Sequence, residues 1–141
     1  LGVQTLEFEA QTALFSALTS SATFMTAVSN KIFDTPPDNK AYPYVCLEST
    51  NNDPFNRHGK KGLNVYFTFE IYTNVGELGS YTAKNIKGIM DDVLNMKKFN
   101  LETASFKMDI CKFANSDTFK NKDINGMSVI YMTILRNTTN Y

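Results

Sequence analysis

The chain has one histidine, His58, in the stretch STNNDPFNRHGKKG (residues 49–62), directly after Arg57 and a few residues beyond Asp53. An imidazole in such a setting would serve as a general base or a metal ligand. Asp53, Arg57 and His58 are therefore the set that an enzyme or a small-molecule-binding domain would use. The surroundings give that chemistry little support. A zinc site needs three or four soft or imidazole ligands, and no second histidine or nearby cysteine is present. Asp34, Asp38, Glu48 and Asp53 supply carboxylates for a cation, but the glycine and closing glutamate of a calcium loop are missing. Asp91 and Asp92 fall on the exposed side of a predicted helix and read as a solubilising pair rather than an acid/base dyad. Neither GxxxxGK[ST] nor GxGxxG occurs, so no phosphate cradle is signalled. The expectation is no catalytic residue, no cofactor and no metal.

Composition narrows the partners. Fourteen basic and fourteen acidic residues balance to zero formal charge, which leaves no electrostatic footprint for nucleic acid. The aromatics do not interleave with basic residues as on an RNA-binding sheet. Low self-repulsion is permissive for oligomers. Cys46 and Cys111 are too few for a disulfide scaffold and sit in apolar runs, where a free thiol behaves as a small buried hydrophobe. The sequence shows no basic-then-apolar leader and no apolar run near membrane-spanning length, so neither secretion nor membrane insertion is expected.

The elements that must position any site follow from periodicity. Residues 6–18 place Ala10, Ala13, Leu14, Ala17 and Leu18 on one helical face. Ser20 or Ser21 can cap a second short helix in which Phe24, Met25 and Val28 share a side, with Asn30 as its terminator. Asp34-Thr35-Pro36-Pro37 forbids further helix. From Tyr42 the pattern alternates as a strand entered through Pro43. Leu63, Val65, Phe67, Phe69 and Ile71 then line the buried face of a second strand, residues 63–73. Residues 80–98 form a helix with Ala83, Ile86, Met90, Val93 and Lys97 on one side, and Gly88 in its middle permits close packing on the sheet. Ala104, Phe106, Met108 and Ile110 alternate with Ser105, Lys107, Asp109 and Cys111. Residues 127–136, MSVIYMTILR, are apolar on both faces and belong in the sheet centre. The stretches 49–62 and 114–126 read as two long polar loops. The predicted fold is one α+β domain over residues 1–141. It has a mainly antiparallel four-stranded sheet with helices packed on it, ordered helix-helix-strand-strand-helix-strand-strand.

Four stretches resemble a known family. ALFSALTSSATFMTAVSNKIFD gives the helical opening, and TPPDNKAYPYVCLEST the proline-rich passage into a Pro-Tyr-Val strand. VYFTFEIYTNVGELGSYTAKNIKGIMDDVL supplies a strand, turn and helix, and GMSVIYMTILR the closing strand. Together, in order, they are similar to the tail completion or tail terminator proteins of long-tailed bacteriophages and related tail-like particles. The resemblance implies a virion protein at the head–tail junction, made in the host cytoplasm, forming a homo-oligomeric ring, typically hexameric. Such a ring caps the head-proximal end of the tail tube, stops tube polymerisation and presents a surface to the head connector. It implies no catalysis, cofactor or metal. The implied partners are other copies of itself, the major tail tube protein and the head completion or connector protein. A head–tail connector or other neck protein is the alternative within the same class.

In that frame, Pro36, Pro37 and Pro43 lower the entropy lost on fixing the passage they occupy. The loop holding Asp53, Phe55, Arg57, His58, Lys60 and Lys61 is expected to be mobile alone and ordered against a neighbouring subunit or the tube. Phe55 would be the apolar anchor. Arg57, Lys60 and Lys61 would steer the encounter.

Overall fold

The computed structural model describes residues 3–28, 31–33, 43–57, 60–74, 79–101, 106–120 and 124–137. Two helices open the chain, α1 (Val3–Thr19) and α2 (Ala22–Ala27). Ser21 caps the second, its hydroxyl accepting the Phe24 N–H at 3.2 Å and satisfying one of the helix's unpaired amides. A two-residue strand, β1 (Ile32–Phe33), follows. Then come β2 (Tyr44–Arg57), β3 (Lys60–Asn74), α3 (Gly79–Leu94), β4 (Phe106–Lys120) and β5 (Ile124–Asn137).

The sheet runs β1-β2-β3-β5-β4. Every pairing is antiparallel except the short parallel β1–β2 contact. The four expected strands are present in the expected sequence order, with β5 inside the sheet, but the described sheet has five strands. The pair Ile32–Phe33 is too short to register as a run, and it pairs only with Val45 and Cys46.

All three helices cover one face of the sheet. Ala10, Leu14 and Leu18 of α1, Phe24 and Val28 of α2, and Ala83, Ile86, Met90 and Leu94 of α3 are buried against it. They meet Leu63, Val65, Phe67, Phe69 and Ile71 of β3 and Met127, Val129, Tyr131 and Leu135 of β5, all buried as the alternation requires. Phe15 and Phe69 lie 6.0 Å apart between ring centroids, and Phe69 and Phe113 both meet the ring of Tyr131 edge-on. Edge-to-face aromatic contacts of this kind add to what area burial alone contributes. Cys46 and Cys111 are buried thiols not joined in a disulfide, and burial pushes the Cys111 thiol up to about 12.

Several expectations need correction. The stretches 49–62 and 114–126 are strand for almost their whole length rather than loops. β2 and β3 stay in register out to Arg57↔Lys60, and β4 and β5 out to Lys120↔Asn125. Polar composition masked both hairpins because edge strands are often polar on purpose. In β4 the strict alternation fails. Register shifts at Asp109 and Ala114 each insert one residue, so Met108 and Cys111 are buried while Ile110 is only half-buried.

The third helix stops at Leu94, which is buried, and not at residue 98; Lys97 is exposed and makes an isolated antiparallel bridge to Cys111. Met96, at φ 60°, takes the left-handed position just beyond the helix, where glycine is the usual occupant, and is 64% exposed. Asn30 and residues 34–42, including Pro36 and Pro37, lie outside the described residues.

Gly88 is exposed, and a Cβ built on it would meet nothing within 4 Å. It therefore permits no close approach to the sheet, contrary to the sequence expectation. Gly88→Ala should stabilise the fold by about 0.5–1 kcal/mol, the ordinary helix-propensity difference. A urea titration checks this, and a lower midpoint would mean that something unseen packs there.

Candidate partner interface

Register places the polar ends of the sheet. β5 pairs with β3 from Asn74↔Ile124 to Gly62↔Arg136, so Lys60 and Lys61 overhang the central strand. Beyond the β1 contact, β2 has no described strand on its outer side, and β4 is the opposite edge. Reading across the strands, Phe55, Gly62, Arg136 and Lys107 occupy one row, with Asn56↔Lys61 and Arg57↔Lys60 beyond it. Five cationic positions thus gather at one end of a sheet whose whole chain carries no net charge. Asp53 lies just inside this end, opposite Asn64, and is exposed.

Of the predicted interface residues, the backbone brings Asp53, Phe55, Arg57, Lys60 and Lys61 together on one continuous hairpin arm. His58 lies outside the described residues. The arm is built of paired strand, which corrects the picture of a loop that orders only on contact. Pro54 sits in this edge strand opposite Leu63. A proline has no N–H to donate, and an edge strand is where a sheet tolerates it.

The other end is different in character. Tyr44 and Tyr72 face each other in register and stack at 4.9 Å, with Phe33 6.2 Å from Tyr44. The next row holds Cys46, Glu70, Ser128 and Asp117. Tyr72 donates its hydroxyl to Glu70, and burial, then that bond, raises the phenol well above its ordinary value. The sheet face away from the helices therefore runs from an acidic row to a basic one over roughly 27 Å, taking about 3.4 Å per strand residue. Between the two ends lie the half-buried Tyr66, Ile130, Met132 and Ile134.

Sequence reading missed one polar cluster. Asp91 is half-buried rather than solvated: it accepts the hydroxyl of the fully buried Tyr131 and the Lys87 ammonium at 2.7 Å. Lys87 also sits 4.1 Å above the Phe113 ring. Burial first, then the bond to Asp91, pushes the Tyr131 phenol far up, so it is a permanent donor. The Lys87/Asp91 spacing of four residues was visible on the helix; the tyrosine partner forty residues on was not. Asp92 is exposed, as expected.

Among the described residues, no three histidine, cysteine or carboxylate side chains group to hold a metal. No described helix is long and apolar enough to cross a membrane. The family model described as "Tail completion protein gp17" matches residues 12–133, from within α1 into β5. The chain belongs to this family of bacteriophage virion proteins, which is not an enzyme family.

The fold is shared with a chain of the virion of a native gene transfer agent (GTA) particle, at 18% identity and TM-score 0.78, covering 90% of this chain and 94% of that one. It is also shared with the gp17 protein of bacteriophage SPP1, at 19% identity and TM-score 0.58, covering 99% and 98%. No curated protein sequence matches the chain.

Proposed function

We propose that the chain is the tail terminator subunit of its particle. Copies assemble into a ring, typically of six, on the head-proximal end of the tail tube, stop tube polymerisation and offer the joining surface for the head connector. Assembly takes place in the host cytoplasm before the particle is complete. The observation that carries this reading is the rigid, cation-rich end of the sheet formed by the β2–β3 arm and the rows beside it. A capping subunit must hold its contact groups in fixed register against a repeating partner, and continuous strand pairing supplies that rigidity. Phe55 is the apolar anchor of the arm, while Asp53, Arg57, His58, Lys60 and Lys61 orient the encounter.

The test replaces Phe55 by Ala and Arg57, Lys60 and Lys61 by Ser in one variant. Thermal stability should change little, because these positions lie at the far end of the arm. Capping of purified tail-tube protein and yield of infectious particles should both fall sharply. Normal capping at normal stability would remove the arm from the interface. Binding to the head connector with no effect on tube length would favour a neck protein of the same particle.

A further inference from the structure

Two cavities meet at Asn100. One, of ≈ 220 Å³, lies along α1 between Phe8, Glu9, Thr12 and Ala13, with Asn100 on its wall. The other, of ≈ 580 Å³, opens between the segment after α3 and the start of β4, and Lys98, Lys107 and Arg136 stand among its walls. Asn100 lines both, so the two adjoin, and an extended chain passing over Asn100 would occupy them as one track. Its two halves differ chemically. The α1 half is edged by Phe8, whose large apolar side chain is 67% exposed. In the β4 half the described walls carry three cations, Lys98, Lys107 and Arg136, and one carboxylate, Asp109, both of whose oxygens Arg136 Nε reaches, at 3.0 and 3.1 Å. The floor there is apolar, from half-buried Phe99 and Leu101 packed on the core.

We propose that this track docks an extended segment of a partner protein that carries large apolar side chains at one end and carboxylates at the other. The carboxylates would meet Lys98, Lys107 and the remaining N–H groups of Arg136, which can address a carboxylate in a planar fork. The apolar residues would lie along Phe8 and Ala13. A nucleic acid fits poorly: a phosphate backbone following the track would run past the Glu9 carboxylate at the α1 half and would lack cations there. The site shares Lys107 and Arg136 with the cation-rich end of the sheet but none of Phe55, Arg57, Lys60 and Lys61, so variants at Phe8 and Lys98 test it apart from the arm.

The test uses the full chain and a short fluorescein-labelled peptide with leucine and phenylalanine in one half and glutamates in the other, read by fluorescence anisotropy at low salt. Saturable binding is expected. It should weaken about tenfold or more in the double variant Lys98→Glu, Lys107→Glu, with loss of the salt dependence typical of charge-steered contacts. Phe8→Ser should weaken it separately. Both lysines and Phe8 are exposed, so the variants should keep the parent's circular dichroism and melting temperature. Three results would each overturn the proposal: no saturable binding, equal binding of a peptide with glutamine in place of glutamate, or tighter binding of an oligonucleotide of similar length.

Discussion

Replacing Phe67 by Ala should cost about 3–5 kcal/mol, the range for emptying a fully enclosed aromatic site. Phe67 is completely buried, in the middle of β3, and stands in register with Thr50 on one side and Tyr131 on the other. Its neighbours come from backbone held in long ladders, so they cannot close over the space left behind. For a domain of this size such a loss should lower the melting temperature by roughly 10–20 °C. Denaturant melts of the two proteins give the answer directly. An unchanged midpoint would mean that the helices cover the other face of the sheet.

The second large effect should come from Asp91→Ala, at about 2–3 kcal/mol. The Tyr131 hydroxyl has Asp91 as its acceptor in a site with no exposure. Removing the acceptor strands a buried donor, and that penalty, with the loss of a charge-assisted bond, is what reaches this size. The Lys87–Asp91 pair contributes little by itself, since both side chains remain about a quarter exposed. Tyr131→Phe should cost less than Asp91→Ala, because it removes the donor along with the bond. The double variant should cost less than the two singles together. A double-mutant cycle in urea reads all three, and strict additivity would show that the pair does not act as a unit.

The sequence carried the core well because the core follows simple periods. Leu63 to Ile71 alternate without a break, and Ala10, Leu14 and Leu18 repeat every four residues, so burial could be read position by position. The centrality of β5 was legible in MSVIYMTILR, although Ile130, Met132 and Ile134 on the face away from the helices are only half-buried.

What escaped was whatever composition concealed or a partner distant in the chain decided. STNNDPFNRHGKKG and ANSDTFKNKDING have loop composition, yet their described residues are strand because β2 pairs with β3 and β4 with β5. The bulges at Asp109 and Ala114 leave no mark in composition, yet they move Cys111 into the core and Ile110 out of it. The candidate interface was half legible. Its residues were named, but their gathering with Lys107 and Arg136 needed the β3–β5 pairing, which joins segments some seventy residues apart at Gly62↔Arg136.

The position of β5 also governs how the molecule comes into being. It is the last strand in chain order and yet lies between β3 and β4. Until the ribosome has released it, β3 can pair only with β2, and the buried residues of β3 and α3 have no sheet to close on. A nascent chain ending anywhere before residue 124 is thus held as a hairpin and loose helices with an open apolar surface, the kind of species that chaperones and proteases engage. Folding then awaits a pairing between distant segments and should be slow for a domain of this length.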